Sequence, residues 1–150
     1  MRLVIDANIL VAELLRVRGR ALMTLPTLYL TIAGSIWDET EYELRKHIAH
    51  LTMRGTVLPD VAERLLESAL LTVNDRLGQI PVAAYGTYES IARSRIPRDP
   101  DDWHTVALAL ASDADIWTSD ADFLGCGVAT WTTDTLRTYA VEPKPTMRVG

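Results

Sequence analysis

Short apolar runs of three or four residues recur along the chain, and stretches whose apolar residues repeat at helical spacing separate them. The runs at residues 3–5, 28–31, 116–118 and 128–131 contain β-branched or aromatic members and predict short strands. A weaker run at residues 80–82 is interrupted by a proline. Strands that alternate with helices form a parallel sheet with helices on both faces. We therefore predict a three-layer α/β/α fold with a central parallel sheet of four or five strands.

Helix boundaries follow from capping and breaking residues. Asn8 is a suitable N-cap for the first helix, and Gly19 is expected to end that helix. A short second helix is expected at residues 20–25. The third helix is expected at residues 37–54. The predicted later helices cover residues 59–77, which Gly78 ends, and residues 85–95, 103–112 and 133–139.

The 150 residues are the size of one domain, and a hydrophobic fraction of 48% is enough for a core. We expect one domain over residues 1–140 and a C-terminal tail over residues 141–150, which contains two prolines. Cys126 is the only cysteine, so an internal disulfide is excluded. The chain opens without the pattern of a signal peptide, and its apolar runs are shorter than a membrane span. We expect a cytoplasmic protein without a membrane partner.

Negative charge is concentrated in one part of the sequence. The segment between Asp99 and Asp122 contains seven acidic residues and no Lys or Arg, whereas the rest of the chain has 13 acidic and 15 basic residues, a balance of +2. A nucleic-acid partner is therefore compatible with the overall charge of −5. The segment is either a solvated acidic loop or a group of carboxylates that cations neutralise.

Four acidic residues fall where a parallel sheet places its functional groups, beyond the carboxyl ends of the strands. Asp6 directly follows the first predicted strand, and Asp120 follows the strand at residues 116–118 after one residue. Asp102 opens a helix, and Glu39 lies in the first predicted turn of another. Asp122 is either a fifth member of this group or a turn residue.

Carboxylates that gather without Cys or His partners select hard cations such as Mg²⁺ or Mn²⁺. Such ions activate water and neutralise charge in phosphodiester hydrolysis. Each acid also has a structural interpretation, because an aspartate after a strand is often a helix cap. Glu39 and Glu43 share a helix face, so either can supply the glutamate. Glu39 is preferred because it lies nearer the helix start.

Five segments make the sequence resemble the PIN-domain family, which includes the VapC-like toxins of toxin–antitoxin pairs. They are Val4-Ile5-Asp6-Ala7-Asn8, Asp38-Glu39-Thr40, Arg98-Asp99-Pro100-Asp101-Asp102-Trp103, the alanine-rich helix after Trp103, and Ile116-Trp117-Thr118-Ser119-Asp120-Ala121-Asp122-Phe123. The resemblance covers residues 1–140 and implies the following roles. The acidic metal ligands are Asp6, Glu39, Asp102 and Asp120, and the supporting residues are Asn8 and Thr118.

The resemblance further implies metal-dependent endonucleolytic cleavage of RNA, a homodimer, and inhibition by a small antitoxin protein in a type II toxin–antitoxin pair. The helix at residues 59–77 is strongly amphipathic, so it either covers the core or forms a dimer or antitoxin surface. Three arginines near the end of the first helix either complement its dipole or contact RNA phosphate: Arg16, Arg18 and Arg20.

Three other functions remain alternatives. A haloacid-dehalogenase-type phosphatase needs a second aspartate two residues after the first, where this chain has Asn8. A response-regulator-like receiver needs an acidic pair at the first strand and a lysine after a later strand, and neither is evident. A degenerate PIN fold would act as a binding module without catalysis. A metal-dependent nuclease assay beside a phosphatase assay separates these functions.

Overall fold

The computed structural model describes residues 1–141, which form one five-stranded sheet with its covering helices. Strands β1 to β5 are Arg2–Ile5, Tyr29–Ala33, Leu77–Ile80, Asp115–Trp117 and Thr130–Trp131. Helices α1 to α7 are Ala7–Leu14, Val17–Met23, Gly34–Met53, Pro59–Arg76, Glu89–Arg95, Trp103–Ser112 and Thr133–Val141. Residues 142–150, nearly all of the predicted tail, lie outside the described residues, so the predicted domain boundary stays a prediction.

The sheet has the strand order β3-β2-β1-β4-β5, and all four neighbouring pairs are parallel. This arrangement confirms the predicted α/β class and the parallel sheet. Strand β1 is central, and its residues Leu3, Val4 and Ile5 are fully buried. Because all five strands run in one direction, their carboxyl ends lie at one edge of the sheet. The residues that follow β1 and β4 are therefore brought side by side.

The two faces of the sheet carry separate hydrophobic clusters. Alternate side chains of a strand point to opposite faces, so Leu3 and Ile5 pack with α1, α2, α3, α4 and α7, while Val4 packs with α5 and α6. The second cluster also contains Tyr85 and Phe123, which belong to the connections around α5 and after β4. These connections are packed into the core and hold the acidic segment of the chain against the sheet edge.

The start of α1 and the boundary between α1 and α2 differ from the sequence prediction. Asp6, not Asn8, occupies the N-cap position, because its backbone is extended and Ala7 already begins the helix. Extended backbone at Arg16 separates α1 from α2. Gly19 lies inside α2 and does not end α1. It allows α2 to pass close to the backbone of Glu13, where a Cβ would collide with the Glu13 carbonyl oxygen.

Helix α3 begins three residues earlier than predicted, at Gly34, so Glu39 lies in its second turn and not in its first. Helix α4 passes directly into β3, so Gly78 is a strand residue and not a helix end. The strand ends before Pro81, which has no N–H to donate to a neighbouring strand. No helix among residues 1–141 combines the length and apolar composition needed to cross a membrane.

Candidate active site

Asp6 is the first residue after the central strand, and only 6% of its surface is exposed. Its backbone N–H donates to the carbonyl of Trp117 at 3.0 Å, which fixes the end of β1 against the end of β4. The hydroxyl of Thr118 donates to Asp6 Oδ2, also at 3.0 Å. Burial raises the pKa of Asp6, the Thr118 hydrogen bond opposes that effect, and the negative charge of Asp120 adds to it.

The loop after β4 is ordered by a chain of short hydrogen bonds. The backbone N–H of Asp120 donates to Thr118 Oγ1 at 3.0 Å, and the N–H of Asp122 donates to Asp120 Oδ1 at 2.9 Å. Because Thr118 Oγ1 accepts from Asp120, its single proton is left for Asp6. The threonine therefore fixes the relative positions of the Asp6 carboxylate and the Asp120 backbone.

Asp102 ends a short 3-10 turn, Pro100–Asp102, and occupies the N-cap position of α6. Its pKa is raised to about 6. Burial is the largest cause, and the charges of four nearby carboxylates add to it: Asp99, Asp6, Asp120 and Asp122. The structure thus brings these residues close enough for the charges of Asp6 and Asp120 to act on Asp102, although they are up to 114 positions apart in the sequence.

Among residues 1–141, no Lys or Arg forms an ion pair with Asp6, Asp102 or Asp120. Arg98 lies 3.7 Å from Asp122 at the rim of the group. The three side chains are carboxylates that repel one another, and Mg²⁺ and Mn²⁺ require oxygen ligands and uncompensated negative charge, so in chemical type these residues suit a divalent cation.

The predicted meeting of all four acidic side chains at one point stays a prediction. Within the described part of the chain, no three His, Cys, Asp or Glu side chains stand together closely enough to ligate one metal ion. Asp6, Asp102 and Asp120 share one edge and influence one another, as described above. Neither Glu39 nor Glu43 is among the groups that shift the pKa of Asp6 or Asp102.

The two candidate glutamates of α3, Glu39 and Glu43, are both exposed but have different neighbours. Glu39 is exposed, and its charge acts on His104. Glu43 lies one turn further along and lines a cleft between α1 and α3 together with Asn8. Asn8 is exposed two residues after Asp6 and is therefore close to the buried acid. Asp101, the neighbour of Asp102, is exposed and lies 3.4 Å from Arg93.

The three candidate RNA-binding arginines also differ in placement. Arg16 is exposed and lies 3.2 Å from the buried Glu13. Arg20 donates to the carbonyl of Leu14 at 2.6 Å, so its guanidinium caps the end of α1. Arg18 lies in a separate pocket beside Arg137. Only Arg16 lines the cleft that Asn8 and Glu43 share.

Sequence reasoning missed several groups around the site. Asp99 contributes to the raised pKa of Asp102, and only the density of acids in that segment signals it. His104 Nδ1 lies 2.8 Å from the hydroxyl of Tyr85, and its ring stacks on Trp103. Burial lowers the pKa of His104. Lys46 and His47 of α3 line the same cleft as Glu43. They follow Glu43 by three and four residues, so their position on the same helix face can be read from the sequence.

One comparison places the chain among known proteins. A family model described as the PIN domain matches residues 4–141, which is almost the whole described chain and includes every acidic residue discussed above. No curated protein matches the chain.

Proposed function

The chain belongs to the PIN-domain family, whose members are generally nucleases, and on this basis we propose that it is a metal-dependent endoribonuclease. The observation that carries the proposal is the group formed by Asp6, Asp102 and Asp120. These residues are buried or half-buried at the carboxyl edge of a parallel sheet, repel one another, and have no Lys or Arg partner among residues 1–141.

In this proposal Asp6, Asp102 and Asp120 hold Mg²⁺ or Mn²⁺, with Glu43 as the fourth acid. A bound divalent cation supplies an activated water and neutralises the charge that develops on the phosphate. Thr118 keeps the Asp6 carboxylate in one orientation through its 3.0 Å hydrogen bond. The reaction is hydrolysis: water adds to phosphorus, and the bond from phosphorus to one ester oxygen breaks.

Glu43 is proposed in place of Glu39 because of the position of Asp6. Asp6 immediately precedes α1, and Glu43 lines the cleft between α1 and α3 with Asn8. Glu39 lies in the second turn of α3, and its charge acts on His104 of α6. An acid on the α1 side of α3 is better placed to act with Asp6.

The finer biological role is a further part of the proposal. The resemblance to VapC-like toxins suggests a homodimeric toxin that a small antitoxin protein inhibits. Co-expression with the product of a neighbouring small reading frame tests this role: the complex should purify together and should not cut RNA. If the chain still cuts RNA in the presence of that product, the toxin–antitoxin role is wrong and the nuclease activity stands.

The experiment that tests the activity uses labelled RNA with millimolar Mg²⁺ or Mn²⁺ and a parallel reaction in excess chelator. We expect internal cuts with metal and intact RNA with chelator. A phosphatase substrate in the same buffers should remain unchanged, which separates this function from a haloacid-dehalogenase-type phosphatase. RNA that stays intact with either metal would favour a degenerate PIN fold acting as a binding module.

A further inference from the structure

The three acids at the sheet edge are held in different ways. The carboxylate of Asp6 accepts a hydrogen bond from Thr118, and that of Asp120 accepts one from the backbone N–H of Asp122. Asp102 stands at the N-cap position of α6, yet within the described chain its carboxylate caps no N–H of that helix and pairs with no Lys or Arg. The position of the Asp102 side chain therefore depends on the backbone that carries it.

One guanidinium group, that of Arg93, contacts the residues on both sides of Asp102. Its Nη1 donates to the carbonyl of Pro100 at 3.2 Å and to Asp101 Oδ1 at 3.4 Å. The same group lies over the ring of Trp103, with Cζ 5.5 Å from the ring centre. A planar guanidinium can donate hydrogen bonds and contact an aromatic face at once. Arg93 thereby connects the turn before Asp102 to the first residue of α6.

Arg93 is itself held in place by its own helix. Its Nε donates to Glu89 Oε1 at 3.0 Å, one turn earlier on α5. Ala92 and Ile96, on either side of Arg93, are buried in the hydrophobic cluster that also contains Trp103. The backbone of Arg93 is therefore anchored in the core, and its side chain reaches the Asp102 turn from a fixed position.

Arg93 is not the counter-ion of Asp102. Both residues belong to the described chain, yet they form no ion pair. Arg93 is also not among the groups that shift the pKa of Asp102. The guanidinium thus fixes the residues around Asp102 and leaves the Asp102 carboxylate free of a competing cation.

We propose that Arg93 is a positioning residue, which holds the Pro100–Asp102 turn so that the Asp102 carboxylate stays beside Asp6 and Asp120. This inference rests on the proposed metal-dependent function and adds a residue to its machinery. Groups that orient metal ligands raise metal affinity, because the ligands are already in place before the ion binds. Simple electrostatics gives the opposite expectation, since removing a positive charge near the acids favours a divalent cation. The sign of the change in metal affinity therefore separates the two effects.

Direct Mn²⁺ binding, measured by titration calorimetry without RNA, tests the inference. The proteins are the wild type, Arg93→Gln, which removes the guanidinium, and Arg93→Lys, which keeps the charge but not the planar fork. Arg64→Gln is the matched control, because Arg64 pairs with Asp60 one turn earlier on α4, as Arg93 pairs with Glu89 on α5. We expect both Arg93 variants to bind Mn²⁺ about tenfold more weakly than the wild type. Arg64→Gln should bind Mn²⁺ as the wild type does.

Thermal unfolding of each protein in chelator separates positioning from a merely structural role, and the titrations are made well below the lowest Tm. If the Arg93 variants unfold at lower temperature but bind Mn²⁺ as tightly as Arg64→Gln, or more tightly, the inference is wrong and the proposed function stands. Wild-type affinity in Arg93→Lys would also overturn it, because the charge alone would then suffice. A wild type that binds no Mn²⁺ would overturn both the inference and the proposed function.

Discussion

The carboxyl group of Asp102 has a pKa of about 6 in the folded chain, against an ordinary value of 3.8. A carboxyl group whose pKa is raised by folding stabilises the folded chain when it is protonated. That contribution is complete below pH 3.8 and is lost as the pH rises through about 6. Without metal, the site therefore becomes more unfavourable as the solution approaches neutrality.

We predict that Asp102→Asn gains stability over the wild type as the pH rises. Thermal unfolding of both proteins in metal-free buffer at pH 4, 5, 6 and 7 measures this effect. The difference in Tm between variant and wild type should be smallest at pH 4 and should increase through pH 6, because the variant lacks the titrating group. A difference that stays constant over this range would show that Asp102 is not in the repulsive environment described.

The glutamates of α3 provide a comparison of two residues one turn apart. We expect Glu43→Gln to reduce RNA cleavage strongly and to raise the Mn²⁺ concentration needed for half-maximal activity. Glu39→Gln is the matched control, since it removes the same charge from the same helix and should retain most activity. Metal titration of the cleavage rate measures both effects. The reverse order would restore Glu39 as the fourth acid.

At the residue scale, the sequence predicts the placement of Asp6 and Asp120 because each follows a strand closely. It does not distinguish Glu39 from Glu43, because both lie on one helix face and the choice depends on how α3 packs beside α1. The contribution of Asp99 to the pKa of Asp102 was signalled only by the density of acids in its segment, since it comes from charge acting through space.

Among the elements, the boundaries that differ from prediction are those set by contacts with other elements. Glycine is typical of a helix end, yet Gly19 lies inside α2, because α2 passes very close to α1 at this point. Gly78 likewise suggests a helix end, but pairing with β2 draws it into β3. Neither of these tertiary contacts can be read from the local sequence pattern. The sequence therefore predicts the existence and order of the elements but not these boundaries.

The packing of α2 against α1 leads to a prediction for Gly19→Ala. An alanine normally stabilises a helix by about 1 kcal/mol relative to glycine. Here a Cβ would lie 2.6 Å from the Glu13 Cβ and would also collide with the Glu13 backbone. We therefore expect Gly19→Ala to destabilise the protein by about 1–3 kcal/mol in chemical unfolding. Gly86→Ala is the control, because its nearest atom, Val82 Cγ2, is 3.7 Å away. Equal stabilities would contradict the close contact.

For the whole molecule, the parallel sheet accounts for the position of the site. The alternation of strands and helices predicts one edge that collects the residues after β1 and β4, and the acids at this edge come from segments more than 100 positions apart. The cleft between α1 and α3 was not predictable, because it depends on the faces that these two helices present to each other.

The most direct test of the account combines two measurements on Asp6→Asn: RNA cleavage with Mn²⁺, and thermal unfolding in chelator. The change preserves the size and hydrogen-bonding capacity of the side chain. It removes a buried carboxylate, whose pKa is raised by burial. We predict that the variant unfolds at the same temperature as the wild type or higher, and that its cleavage rate falls about 100-fold or more. A variant that cuts RNA at the wild-type rate, or whose loss of activity only follows a loss of stability, would contradict the central role of Asp6.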